Sequence, residues 1–287
     1  MKVNNLALAF RRIKKMPVTV IMAFIIVIIT FLVAIFGRYL APQDFSKIDL
    51  FNLSKPPSFL SGGDPNHFLG TDNLGRDVVS RLLYALQISL SIATIGSLFS
   101  AFVGISLGAI AANFRGLVED AIMMLADVTW SMPYIILALA IIAIFGQNFI
   151  VLVLVIGIGG WETYARLTRA MILSINQKDF VTALRAIGVP QTTIYFKHIF
   201  PNIINPLLIE FSVSFPFKIL AESALSFLGL GVMPPLTSLG QMLGAGRDYL
   251  MTAPWIAIIP GSIIFIITLS ISTIGDWIRD VLDPTMR

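Results

Sequence analysis

Five ionisable side chains, Asp127, Glu162, Glu210, Lys218 and Glu222, fall inside long apolar stretches of this 287-residue chain. A charge at mid-span costs about 2.5–3.5 kcal/mol on the insertion scale, against about 0.3–0.6 gained per Leu, Ile, Phe or Val, so each needs a bundle interior, a partner or water. Glu210, Ser214, Lys218 and Glu222 recur every four residues and predict one polar stripe on a helix that Pro216 kinks. Such a stripe can line a translocation path, with Lys218 and Glu222 balancing each other at i, i+4, or it can fix packing through interhelical ion pairs. Carboxylates at Asp127, Glu162 or Glu210 could instead carry protons down a gradient, and Glu162 has Arg166 four residues on as a partner.

Other chemistry is poorly provided for. There is no Gly-x-x-x-x-Gly-Lys-Ser/Thr loop to cradle ATP phosphates, no His-Glu-x-x-His pair and no Gly-x-Ser-x-Gly elbow. The two histidines, His67 and His198, are far apart, and with no cysteine there is neither a thiol nucleophile nor a Cys-ligated metal. The run Gly157–Gly160 sits in an apolar stretch without a strand-turn-helix context and reads as close helix packing. No metal and no cofactor is expected on this chain.

The elements that position these groups must be membrane helices. Hydrophobic residues make up 56% and charged residues 13%, with a mean hydropathy of +0.86, whereas soluble domains carry about 25% charged residues. Lipid is therefore the main solvent. Apolar stretches at 18–37, 86–112, 118–146, 149–170, 206–228 and 255–277 are each long enough to cross a ~30 Å hydrocarbon layer, giving an all-α protein of six spans in one domain. The first is retained as a span, since it lacks a small-residue cleavage site. An even number places both termini on one side. With the termini in the cytoplasm, most Lys and Arg fall inside, among them Lys2, Arg11, Arg12, Lys14, Lys15, Arg115, Arg166, Arg169, Lys178, Arg185, Lys197, Arg279 and Arg287. The net charge of +4 is dispersed, apart from the basic N-terminal group, which reads as a topology signal rather than a nucleic-acid surface.

This topology gives a cytoplasmic N-terminal segment over 1–17, an extracytoplasmic segment over 38–85 that Pro42, Pro56, Pro57, Gly62, Gly63 and Pro65 break into turns, the remaining spans over 86–277, and a cytoplasmic tail over 278–287. Within it, about 171–205 forms a cytoplasmic loop of marked pattern. Asp179 can cap a short helix with Phe180, Ala183, Leu184 and Ile187 on one face. Gly188 then supplies a left-handed turn, Pro190 starts a second short helix, and Ile194, Tyr195 and His198 continue the amphipathic pattern. A bent helical pair of this kind suits either a partner's groove or a lipid surface.

This loop resembles that of the ABC importer permeases, which begins Glu-Ala-Ala, has a glycine about four residues on and ends in Leu-Pro. Here the corresponding residues are Thr182-Ala183-Leu184, Gly188 and Phe200-Pro201-Asn202, so the glutamate is missing while the glycine spacing is kept. A narrower resemblance, to the dipeptide, oligopeptide and nickel permeases, is carried by His67-x-Leu69-Gly70-Thr71-Asp72-x-x-Gly75-Arg76-Asp77-x-x-Ser80-Arg81 running into Ile88-Ser89-Leu90. It continues at Glu222-Ser223-Ala224-Leu225-Ser226-Phe227-Leu228-Gly229-Leu230-Gly231 and at Gly275-Asp276-x-x-Arg279-Asp280-x-x-Asp283-Pro284, while Ala85 and Gln87 depart from it.

The resemblance is to the shorter of two paired subunits with a type I importer fold, in a bacterial inner membrane. It implies a second homologous permease subunit, two ATPase subunits that bind ATP and Mg, and an extracytoplasmic binding protein that largely sets selectivity, with peptides leading and nickel chelates, glutathione or oligosaccharides as alternatives. It also implies that Asp179, Phe180, Ala183, Leu184, Ala186, Ile187, Gly188, Pro190, His198 and Pro201 form the ATPase-coupling loop. Asp72, Arg76 and Asp77 could meet the docked binding protein or hold the local fold. A proton-coupled secondary transporter is the rival reading, and a membrane-embedded enzyme has no motif to support it.

Overall fold

The computed structural model describes residues 16–282, so the basic group ending at Lys15, and Asp283, Pro284 and Arg287, lie outside the described residues. The helices are α1 (Val18–Leu40), α2 (Val78–Phe114), α3 (Gly116–Ser131), α4 (Tyr134–Phe145), α5 (Phe149–Ile158), α6 (Trp161–Asn176), α7 (Asp179–Ala186), α8 (Phe200–Phe227), α9 (Leu239–Gly246) and α10 (Trp255–Leu282). Among the described residues α1, α2, the rod Gln191–Phe227 that contains α8, and α10 are long and apolar enough to cross a membrane unbroken. The pairs α3–α4 and α5–α6 complete six spans if each bent pair counts as one.

The bends have local causes. Between α3 and α4 the axis turns by 98°, so the apolar stretch at 118–146 is not one straight helix. Pro133 denies Met132 the helical conformation and leaves it extended at ψ 133°. The 40° bend between α5 and α6 falls at Gly159 and Gly160, where Gly160 takes φ +92°, a left-handed conformation suited to glycine.

α2 runs through the middle of the bundle. Its residues contribute to all four clusters of buried side chains, which join it to α1, α8, α9 and α10 at one end and to α5, α6 and α7 further along. Close approach is possible because a side chain at Gly104 would strike the Trp161 carbonyl, and one at Gly108 the Ala165 carbonyl, of α6. Outward-facing side chains of α1 such as Met22, Ile25, Ile28 and Ile29 are exposed, as a lipid-facing surface demands.

α2 also begins eight residues before its apolar run, because Asp77 caps it: one carboxylate oxygen accepts the Ser80 N–H and the Ser80 hydroxyl, both at 2.8 Å, and the other meets His67 Nδ1 at 3.0 Å. The preceding segment, 41–77, is irregular and is organised around Asp72. This carboxylate is fully buried and accepts from the Leu74 and Arg76 N–H groups at 2.8 and 2.9 Å, from Arg76 Nε at 2.7 Å and from Arg81 Nη1. Arg81 in turn donates to Thr237 Oγ1 at 3.0 Å, and Trp255 Nε1 donates to the Thr71 carbonyl at 3.0 Å, so the segment is bolted to α2, to the loop before α9 and to α10. The motif Thr71 to Arg81 is thus a fold-building device in this conformation, with Asp72 and Asp77 turned inward and Arg76 partly exposed.

Asp72→Asn leaves the buried guanidinium of Arg81 without its counter-charge, and a loss of about 3–5 kcal/mol is expected. The purified protein should melt several degrees lower and be cut by protease within 41–77, while Lys47→Ala, on the exposed surface of the same segment, should change neither.

Candidate functional site

A cavity of about 420 Å³ lies between α3–α4, α5–α6 and α8, lined by Trp130, Tyr134, Gly160, Glu162, Tyr164, Glu210, Ser214, Phe217 and Lys218 among others. The break between α5 and α6 forms one wall. A helix that stops there leaves its last carbonyls without donors and no water to supply them, a cost of several kcal/mol per group in hydrocarbon. Lys218 answers this from α8. Its ammonium, buried, donates to the Ile156 carbonyl at 2.8 Å, to the Gly159 carbonyl, and to Ser100 Oγ at 3.0 Å. The Ser100 hydroxyl of α2 is placed against the Gly157 and Gly159 carbonyls at 2.5 and 2.9 Å. A cation at a helix C-terminus also suits the helix dipole.

The other side of the break is treated in the opposite sense. Glu162, in the first turn of α6, accepts the Gly160 N–H at 3.0 Å, a carboxylate at the positive end of a helix. Its expected pairing with Arg166 is not made. Arg166 instead bridges to Asp127 of α3 at 2.9 Å, with its guanidinium over the Trp130 ring, and Arg169 pairs with Glu119. These two bridges tie α6 to α3.

Lys218 and Glu222 do not balance each other either. Four residues advance a helix by 400°, so each step of the stripe turns by about 40° and meets a different neighbour. Glu210 is half-buried and faces the cavity, Ser214 meets the Tyr164 hydroxyl of α6 at 3.0 Å, and Lys218 turns into the break. Glu222 is fully buried beyond the cavity, where Oε1 accepts the Ser226 hydroxyl at 2.7 Å and the hydroxyls of Ser89, Ser223 and Ser238 surround the carboxyl. The helix stays continuous through Pro206 and Pro216.

The patterned loop leaves α6 and re-enters at α8. α7 begins at Asp179, which is its first residue rather than its cap and places a carboxylate in the first turn. Val181 is buried against Ile172, Ile175, Ile194 and Ile199, while Phe180, Ala183, Ala186 and Ile187 face outward and Leu184 is half-buried. Gly188 takes φ +77°, with open space where a Cβ would stand. Exposed Pro190 precedes a turn at Gln191–Thr193 and a six-residue π-helical segment, Ile194–Ile199, which flows into α8. The second helix is therefore no short piece: it is the foot of a membrane-spanning rod, with half-buried His198 and exposed Pro201 at the join.

Residues 104–287 match the family described as "Binding-protein-dependent transport system inner membrane component". The chain belongs to this family. Over 254 residues it is 39% identical to the di/tripeptide transport system permease protein DppC of Pseudomonas aeruginosa, covering 88% of this chain and 84% of that protein. It is 33% identical to the oligopeptide permease OppC of Bacillus subtilis (92% and 84% covered) and 34% identical to the glutathione permease GsiD of Pectobacterium atrosepticum (91% and 85% covered). The fold is similar to that of a chain in an inward-facing structure of the MetNI methionine ABC transporter, with a TM-score of 0.56 at 18% identity, over 70% of this chain and 96% of that one. It is thus an inner-membrane ABC importer permease of the dipeptide, oligopeptide and glutathione type.

In this permease the clasp at the helix break should be essential to the bundle. Lys218→Met strips the donor from the buried Ile156 carbonyl and leaves the Gly159 carbonyl to Ser100 alone, an expected loss of about 1–3 kcal/mol. The melting temperature of the detergent-solubilised protein should fall by several degrees, more than for Phe217→Leu on the exposed neighbouring position, and an unchanged value would show that the cap is dispensable.

Proposed function

We propose that this chain supplies half of the translocation path of an ATP-driven importer of di- or oligopeptides, with both termini in the cytoplasm. Its partners in this reading are a second homologous permease, two ATPase subunits that bind ATP and Mg, and an extracytoplasmic binding protein that delivers the solute. The observation that carries it is α7: an apolar face turned away from the bundle, held between α6 and α8 by Gly188 and by buried Val181. A helix so presented suits a groove on an ATPase subunit. Peptides are favoured as solute by the names of the relatives, since dipeptides, oligopeptides and glutathione are all peptides.

The geometry supplies a route for coupling. α6 and the rod containing α8 flank the docked helix directly, and both reach the cavity. The Tyr164–Ser214 contact fastens them together there, and the Lys218 clasp ties α8 to the end of α5 across the Gly160 bend. A displacement of α7 by ATP-driven closure of the ATPases therefore moves both cavity walls as a body, with the bend at Pro133 as hinge, and exposes the cavity alternately to the two sides. Secondary proton transport gains less support: Asp127 is largely exposed and paired with Arg166, and Glu162 is engaged at the start of α6, which leaves Glu210 as its one unengaged carboxylate among the three. Neither accounts for α7.

Two results test the reading. Affinity purification of the tagged chain in mild detergent should recover an ATPase and a second permease; recovery of the chain alone would move the assignment to the proton-coupled alternative. Gly188→Trp should leave insertion intact, because there is open space at the Cβ, yet it forces a side chain into the left-handed region, a strain of about 1–2 kcal/mol, and onto the docking face. Peptide-driven ATP hydrolysis and uptake should part company in this variant, whereas Gly188→Asn, which tolerates that conformation, should keep them joined.

A further inference from the structure

We propose that Glu210 is the acceptor for the solute's ammonium group, so that the permease cavity itself selects for a free amino terminus. This rests on the peptide-import reading above.

The inference comes from how the charges around the cavity are used. Lys218 is directed at the carbonyls of the α5 end, and Glu162 at the Gly160 N–H. Glu210 alone of the three cavity-lining charges makes no hydrogen bond and no ion pair among the described residues, although it is half-buried in a wall inside the membrane bundle. An intramembrane carboxylate left free in this way points to a ligand or an ion path.

The surroundings narrow the ligand. Tyr134 and Phe217 line the same space, beside Trp130 whose ring already carries the Arg166 guanidinium, and aromatic faces attract an ammonium while offering nothing to an anion. A hard divalent cation needs several oxygen ligands, and a single unengaged carboxylate beside aromatic rings does not provide them. A compact ammonium, by contrast, is served by one charge-assisted hydrogen bond. The cavity of about 420 Å³ lies within the range of small-molecule sites, roughly 300–1,000 Å³. The polar stripe therefore divides: its upper members build the fold, and its first member is the one that faces the solute.

The test uses the complete importer complex without its binding protein, so that selection by the cavity is read alone. Saturation-transfer NMR is recorded with alanyl-alanine, its N-acetyl form and its C-terminal amide. Alanyl-alanine and the amide should receive saturation, and loss of the charge-assisted bond should weaken the N-acetyl form about tenfold. Glu210→Gln should abolish that preference, and Glu210→Asp should retain part of it. Equal transfer to the acetylated peptide, an unaltered preference in Glu210→Gln, or no transfer to any of the three overturns the inference. Uptake of alanyl-alanine into proteoliposomes with the binding protein present separates the cases: uptake without cavity preference removes Glu210's role alone, and no uptake removes the peptide reading itself.

Discussion

A helix that ends inside a bilayer must find hydrogen-bond donors for its last carbonyls within the protein, since lipid offers none. That requirement at the α5–α6 break organises the centre of this molecule. It draws the ammonium of Lys218 across from α8 and the hydroxyl of Ser100 from α2, so three helices meet at one set of carbonyls. A lysine buried in hydrocarbon would be very unfavourable by itself, and a bare helix end equally so; each offsets the other's desolvation. The break in turn opens the cavity, because an unbroken helix would carry its side chains straight through that space.

The same economy of partners explains why motion at the loop can be felt at the cavity. α7 is short and touches the bundle mainly through Val181, but the helices on either side of it are long and rigid. They are joined by Tyr164–Ser214 well away from the loop, and the Lys218 clasp adds the end of α5 to the same unit. Arg166–Asp127 and Arg169–Glu119 extend the rigid unit to α3. At the far end the segment 41–77, gathered on Asp72 and fastened through Arg81 and Trp255, braces α2 against the loop before α9 and against α10. In the proposed cycle, movement falls at the α3–α4 bend, where Pro133 interrupts the helical ladder.

Much of this was legible in the residues because it is local. Apolar runs located the spans, and the repeat at Phe180, Ala183, Leu184 and Ile187 with Gly188 after it located α7. The helix boundaries were less legible where polar residues cap or extend a helix, as Asp77 does for α2 by capping eight residues ahead of the hydrophobic signal. Side-chain partners were least legible. Spacing at i, i+4 offered Glu162–Arg166 and Lys218–Glu222, but both lost to tertiary partners far away in sequence: Asp127 for Arg166, the α5 carbonyls for Lys218 and a set of serines for Glu222. Local pairs of this kind contribute only about 0.2–0.5 kcal/mol, far less than satisfying a buried backbone group. Ser100, Tyr164 and Trp130 carried no sequence signal at all, and the Gly157–Gly160 run, which reads as close helix packing, did not announce the break at Gly160.

That ordering of energies bears on which residues a permease can change to alter its solute. A charge that caps a helix end in the membrane is fixed by the backbone, which is the same whatever passes through the cavity. Lys218 and Glu162 therefore belong to the scaffold, and replacing either disturbs the bend before it disturbs any solute. Glu210 is held by no such obligation: its neighbours are the cavity and the half-exposed face of α8. On the proposal that Glu210 meets the solute, selectivity varies there without loss of the fold, and the free position in an otherwise committed stripe is where recognition has room to act.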